Sequence, residues 1–327
     1  MDRATMRKTC SIVSVTVAHN GVSVLRQHLQ ALALQTRKLD EIVVVDNAST
    51  DGTQRLLARE FPEITTLHQQ ENGGIGGGLA AGLAYALGRK HDWVWIFDQD
   101  SLPAPDALEH LLNGLPHLHA DAEITAILAP SCAHPETGIA YPALQWSRWR
   151  FVSIRNNPDQ PAVFVDLVIS SGSLMRSEAV AKVGLPRQDF FMDFVDYEHC
   201  LRLRRQGYRI AVIRDSNLDH AIGTPTVLNI FGWAKSWTDH APWREYYMTR
   251  NEIFTMWRYY PELAAKAFVF YRLARHAVAV LLFGQRKRSC LQMMYRGVAD
   301  GRAGRLGIRH FAAAGQPAPA EEVLIAK

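Results

Sequence analysis

Residues 93 to 101 read Trp93-Val94-Trp95-Ile96-Phe97-Asp98-Gln99-Asp100-Ser101, an apolar strand ending in two carboxylates one residue apart. Such a pair is a hard-oxygen site for a divalent cation, and the carboxyl end of a strand is where open α/β sheets bind ligands. A cation held by two side chains keeps positions open for the oxygens of a phosphate or diphosphate. The same residues also read more simply, with Asp100 or Ser101 capping a helix over Pro103 to Leu112. The neighbouring sequence decides between the two.

Upstream, Ile12 to Val17 is β-branched and nearly continuous, as a strand buried on both faces should be. His19-Asn20-Gly21 breaks it, and Val24, Leu25, Leu29 and Leu32 then recur at helical spacing. A second strand, Ile42 to Val45, ends at Asp46. It is followed by turn residues and a helix over Thr53 to Phe61 with Ser49 or Asp51 as cap. Ile64 to Leu67 is a third strand, and Asn72-Gly73-Gly74-Ile75-Gly76-Gly77-Gly78 opens an apolar helix reaching Leu87. Strands and helices alternating at this spacing predict a parallel, doubly wound half-domain. Past Ile127 the pattern changes. Residues 138 to 170, with Pro142, Trp146, Trp149 and Asn156-Asn157-Pro158, read as antiparallel strands and loops. A helix over Glu178 to Val183 capped by Ser177 and a last strand, Tyr208 to Ile213, complete this part. The expected organisation is a catalytic domain over 1–225, divided near residue 130, and a helical, basic region over 226–327 with a frayed tail from Gly315.

Composition bounds the function. A chain of 327 residues, 48% hydrophobic and 21% charged, has room for a sizeable core. A net charge of +4, with no basic tract interleaved with aromatics in the first two thirds, argues against nucleic acid. Cys10, Cys132, Cys200 and Cys290 are far apart, as in a reducing compartment. Met1 to Cys10 lacks the apolar core of a signal peptide, and Ala277 to Phe283 falls far short of the ~20 residues a membrane span needs. A cytoplasmic protein is expected. No HxxxH, HExxH or GxSxG pattern supports a zinc protease or serine hydrolase.

Four further groups carry chemistry. Asp46 ends a strand where a carboxylate can accept from a ribose or base, or simply bond its own turn. The glycine run lets the backbone approach a diphosphate, or lets a helix pack closely on the sheet. Phe190 to Arg205 reads FFMDFVDYEHCLRLRR, with Asp193, Asp196 and Glu198 set among Phe191, Phe194, Val195 and Tyr197. Carboxylates desolvated by apolar neighbours become more basic and can serve as a general base, although Glu198 and Arg202 also suit an i, i+4 ion pair. His220, in the loop after the last strand, is a candidate metal ligand.

Taken together, the Ile12 to Asn20 strand-loop, VVVDNASTDGT at Val43 to Thr53, the glycine run, DQDS, SSGSLMR at Ser170 to Arg176 and the FMDFVDYEHCLR segment resemble inverting family 2 glycosyltransferases of the GT-A fold. The resemblance spans about two thirds of the chain and is strongest to bacterial rhamnosyltransferases. It implies a Rossmann-like, mostly parallel sheet flanked by helices, with a C-terminal helical extension. It also implies that Asp46 faces the nucleoside, that Asp98 lies by the ribose, and that Asp100 and His220 hold Mg²⁺ or Mn²⁺. Asp196 would be the base that deprotonates the acceptor hydroxyl, with Asp193 and Glu198 beside the acceptor. Arg250 and Asn251, in WREYYMTRN, would lie near the donor. Ala80 stands where relatives carry asparagine, and Gly76-Gly77 is unusual there; from that loop only Asn72 is expected to touch the donor.

The implied reaction moves L-rhamnose from dTDP-L-rhamnose to a surface-polysaccharide or lipid-linked glycan. The alternatives are another sugar (galactofuranose, glucose or N-acetylhexosamine), a nucleotidyltransferase, which His19-Asn20-Gly21 disfavours, and a non-catalytic sugar-nucleotide-binding protein. In the C-terminal third, Leu263, Ala267, Val269, Phe270, Leu273, Ala277, Val280 and Leu281 form an apolar stripe carrying Lys266, Arg272 and Arg275, followed by Arg286-Lys287-Arg288. This reads as a peripheral contact with the anionic inner face of the membrane, or as a hairpin packed on the catalytic domain or on a second subunit.

Overall fold

A computed structural model describes residues 10–309 apart from 136, 142, 155–159, 221–225 and 231–232, with backbone only for 226–237. Pro142, Asn156-Asn157-Pro158, the boundary expected at residue 225 and the tail from Gly315 lie outside the described residues.

The first half alternates as its periodicity predicts: β1 (Ile12–Ala18), α1 (Val22–Ala33), β2 (Glu41–Asp46), α2 (Thr53–Glu60), β3 (Thr65–His68), α3 (Gly74–Gly88) and β4 (Trp93–Asp98). Every residue of β1 is buried, because helices cover both faces of the sheet. Along β4, Trp95 and Phe97 pack with Leu25 and Leu29 of α1, while Val94 and Ile96 join Leu79 and Leu83 of α3 on the opposite face. Gly78 and Gly82 allow α3 to lie this close: a Cβ at either would collide with Val17 or Val15. Close packing is thus one use of the glycine run.

The second half adds β5 (Leu102–Pro103), α4 (Ala107–Gly114), β6 (Thr125–Ala133), β7 (Ala140–Tyr141), the hairpin β8 (Ala143–Ser147) and β9 (Arg150–Ile154), β10 (Ala162–Val165), β11 (Leu174–Arg176), α5 (Ser177–Val183), α6 (Val195–Arg205) and β12 (Arg209–Asp219). The main sheet runs β10-β12-β6-β11-β4-β1-β2-β3. Its strands are mostly parallel, with β10 and β11 antiparallel to their neighbours. The expected helix from Pro103 starts later, because Leu102 and Pro103 pair instead with Asp219 and Leu218 of β12. That pairing draws the end of β12 to the end of β4. The last strand runs six residues past Ile213, through an irregularity in its register with β6. Ser177 is the first residue of α5 rather than its cap, and its buried hydroxyl finds no partner.

Beyond residue 225 the chain is not purely helical. The hairpin β13 (Thr226–Ile230) and β14 (Trp233–Trp237) precedes α7 (Pro242–Tyr259), α8 (Leu263–Phe283) and α9 (Lys287–Ala303). Helix α7 is the buried centre of this group, with Tyr246, Tyr247, Arg250, Asn251 and Ile253 almost wholly enclosed. Among the described residues no helix is long and apolar enough to cross a membrane.

Candidate active site

Two structural accidents of the sequence converge at the carboxyl edge of the sheet. Strand β4 delivers Asp98, and the β5–β12 pairing delivers His220 next to it. The His220 ring places Nε2 3.5 Å from Asp98 Oδ2 and Nδ1 3.3 Å from Asp100 Oδ1. One ligand atom from each of the three side chains lies within 4.8 Å of the others. Two carboxylate oxygens and an imidazole nitrogen gathered this tightly fit a divalent cation of the Mg²⁺ or Mn²⁺ type. Asp98, expected beside a ribose, therefore belongs to the same cluster as Asp100 and His220.

The charges in the cluster answer one another. Burial pushes the Asp98 carboxyl up to about 6; Asp100 adds to the rise, while His220 and Arg244 oppose it. Burial alone would lower His220, but Asp100 and Asp98 outweigh it and raise its pKa. Ligation needs the neutral ring of His220, so a cation bound there would displace a proton from the charged form.

Residues to which the sequence motifs assign no role hold this cluster in place. Ser101 Oγ lies 2.9 Å from His220 Nδ1 and 2.6 Å from Ser171 Oγ, and Ser171 Oγ accepts from the Asp98 N–H at 3.1 Å. His28, wholly buried on α1, donates from Nδ1 to the Ser101 carbonyl at 2.6 Å, because a carbonyl can only accept. Its Nε2 then accepts from Thr16 Oγ1 at 2.8 Å, and burial keeps the ring neutral with a pKa of about 4. The Gln99 amide closes a two-bond bridge to the His19 N–H and carbonyl, both at 2.9 Å, which fixes the loop after β1.

Asp196 stands in the first turn of α6. Burial raises its carboxyl to about 7, with Asp98 and Asp193 adding and the N–H groups of Tyr197 and Ser170 opposing. Asp98 is therefore near enough for the two charges to interact. The loop before it is backbone-strained: Phe191, Asp193 and Phe194 have φ of 65°, 56° and 63°. Asp193 is held by Arg244 of α7 at 3.2 and 3.3 Å.

Three residues expected against substrate are spent on this scaffold instead. Asn251 donates its amide to the carbonyls of Phe190, Met192 and Asp193 at 3.0, 2.7 and 3.0 Å. Arg250 reaches the carbonyls of Asp189, Phe190 and Gly307, and neither side chain is exposed. Glu198 is fully buried between Arg202, at 3.0 Å, and the Tyr259 hydroxyl, at 2.8 Å. The ion pair foreseen for Glu198 is present, and both of its carboxylate oxygens are bonded within the protein.

Asp46 ends β2 and Asn72 precedes α3 at the carboxyl edge of the sheet. Asp46 is fully buried: burial would raise its pKa, but hydrogen bonds from Ser49, Gln54 and His68 outweigh it and hold the group below the usual carboxylate range. Asn72 Oδ1 accepts from Asn47 Nδ2 at 3.0 Å and from the Gly74 N–H at 2.8 Å, fastening the start of α3. Gly74, at φ +66°, could carry no side chain without striking the Phe191 carbonyl, which also accepts from the Gly76 N–H at 3.0 Å. The glycine run thus touches the strained loop before Asp196.

The family model for glycosyl transferase family 2 matches residues 14–184, just over half of the chain. The chain belongs to glycosyltransferase family 2. It is a nucleotide-sugar-dependent glycosyltransferase with the GT-A fold. Among relatives, galactofuranosyltransferase GlfT1 of Mycolicibacterium smegmatis is 28% identical over 232 residues, 69% of this chain and 76% of that protein. The dTDP-rhamnosyl transferase RfbF of Shigella flexneri is 26% identical over 246 residues, 74% of this chain and 78% of that protein. In fold, the chain is similar to mannosyltransferase PcManGT from Pyrobaculum calidifontis in complex with GDP-Man and Mn²⁺, with TM-score 0.52 and 16% identity over 97% of this chain and 79% of that one. It is also similar to GalNAc-T7 with UDP, GalNAc and Mn²⁺, at TM-score 0.60 and 13% identity over 90% of this chain; it spans 56% of that structure.

Proposed function

We propose that this family member transfers L-rhamnose from dTDP-L-rhamnose to a hydroxyl of a polysaccharide or lipid-linked glycan, with inversion at the anomeric carbon. What carries the reading is the pairing of a three-residue cation cluster with a carboxylate whose pKa of about 7 suits a general base at neutral pH. Asp98, Asp100 and His220 would hold Mg²⁺ or Mn²⁺, which supplies charge stabilisation for the leaving diphosphate. Asp196, once deprotonated, takes the proton of the acceptor hydroxyl. The freed oxygen attacks the anomeric carbon as the bond to the diphosphate oxygen breaks on the opposite side. Arg244 keeps Asp193 beside the base, and the buried Thr16–His28–Ser101 chain keeps His220 oriented. Asp46 lies on the nucleoside side, where His68, about half exposed, covers it.

The rhamnosyl donor rests on the resemblance of the FMDFVDYEHCLR segment and on the RfbF relative. A galactofuranosyl donor is the second reading, because the GlfT1 relatives match at 28% and 29% identity over a similar share of the chain. Thermal shift with thymidine, uridine and guanosine diphosphates, with and without Mn²⁺, separates the readings. Thymidine diphosphate with Mn²⁺ should stabilise most. A uridine preference would favour the second reading, and no Mn²⁺-dependent shift with any of them would remove the cation from the mechanism.

A further inference from the structure

Helix α8 is amphipathic in an inverted sense, because its apolar residues fall on two faces. Val269 and Leu273 pack with Ile253 and Met256 of α7, and Val280 packs with Cys290 and Met294 of α9. The stripe legible in the sequence is therefore split, and only part of it is needed to hold the helix. A second row faces solvent: Leu263, Phe270, Tyr271, Val278, Leu281 and Leu282, exposed by between 43% and 83%. At 100° per residue these six fall within an arc of roughly 120° along the whole helix. Isolated surface hydrophobics are ordinary; a continuous row along 21 residues is not.

We propose that this outer face of α8 rests on an anionic lipid bilayer, with the helix axis in the plane of the membrane surface. Charge selects the occupant. The helix has no acidic residue, Lys266 and Arg275 are its cations besides the Glu252-paired Arg272, and exposed Lys287 and Arg288 follow at its end. A second copy docking this face by two-fold symmetry would bring this cationic surface against itself, an unfavourable pairing. Acidic lipid headgroups offer the opposite sign, and acyl chains accept the apolar row. Since α8 cannot cross a membrane, the contact is peripheral. The inference is independent of the donor and of the transfer reaction.

The test is co-sedimentation of the full chain with phosphatidylglycerol-rich and with pure phosphatidylcholine vesicles, without donor or acceptor. Binding should occur only with the anionic vesicles and weaken as salt rises. The variant V278Q/L282Q, changed at exposed positions and checked by circular dichroism, should bind about tenfold more weakly or worse. K287Q/R288Q should lose a similar factor at low salt. If V278Q/L282Q misfolds, F270Q/L281Q replaces it on the same row. Failure of the wild type to bind at low salt would overturn the proposal, as would equal binding to both vesicles. It would also be overturned by a solution dimer that V278Q/L282Q dissociates, or by binding seen only after removal of residues 310–327, which would assign the face to the chain's own tail.

Discussion

The replacement Asn251→Ala separates a scaffold role from a substrate role for the WREYYMTRN helix. Asn251 is unexposed, and its amide is shared among three carbonyls of the loop that ends two residues before Asp196. That loop keeps three non-glycine residues at positive φ, each costing on the order of 1–3 kcal/mol, so it stays in place only while its partners hold it. Loss of buried hydrogen bonds that leaves carbonyls unpaired costs about 1–3 kcal/mol. Asn251→Ala should therefore lower the Tm by several degrees and let the loop relax. A shift of Asp196 by an ångström or so would reduce kcat about 10- to 100-fold, with donor KM changed by less than about twofold. Asn251→Asp should be worse than alanine, because a carboxylate would face three carbonyl acceptors. The assays are differential scanning fluorimetry and steady-state transfer. A raised donor KM with unchanged Tm and kcat would refute the scaffold reading and return Asn251 to the donor.

Other outcomes follow from the same geometry. Asp100→Asn should abolish transfer and the Mn²⁺-dependent part of donor binding without changing the fold, and EDTA should mimic it in the wild type; full activity in EDTA would refute the cation cluster. Asp196 is raised to about 7 from an unfolded value of roughly 4, so the folded state binds the extra proton and stability falls as pH rises across that window. Asp196→Asn should consequently raise the Tm at pH 8 and leave it nearly unchanged at pH 4; a mutant Tm no higher than wild type at pH 8 would contradict the burial of that charge. His28→Ala should reduce activity through His220 while leaving Asp196-dependent pH behaviour in place, which a pH–rate profile measures.

The sheet was legible because its strands are long β-branched runs and its helices carry regular periodicity. The parts that escaped reading are those set by tertiary contact. Nothing local indicates that Leu102 and Pro103 pair with β12, so the sequence places the helix start four residues too early, although Asp98, Asp100 and His220 each stand out. Ser101, Ser171 and Arg244 stand inside the DQDS, SSGSLMR and WREYYMTRN runs, yet the sequence does not show their roles, because these arise from partners about 50 to 120 residues away. His28 sits among the buried apolar positions of α1, and only its two hydrogen bonds mark it. Glu198, Arg250 and Asn251 have the residue types of a binding site. Their hydrogen bonds go to the protein itself, and side-chain chemistry alone does not reveal that direction.

The most direct test of the account is the transfer rate of Asp196→Asn, measured with labelled dTDP-L-rhamnose, Mn²⁺ and a membrane glycolipid extract as acceptor, beside its donor affinity. The account predicts kcat lower by about 10²-fold or more with donor affinity nearly unchanged, the signature of a lost general base. Near-wild-type kcat in Asp196→Asn, with Asp193→Asn or Glu198→Gln inactive, would contradict it.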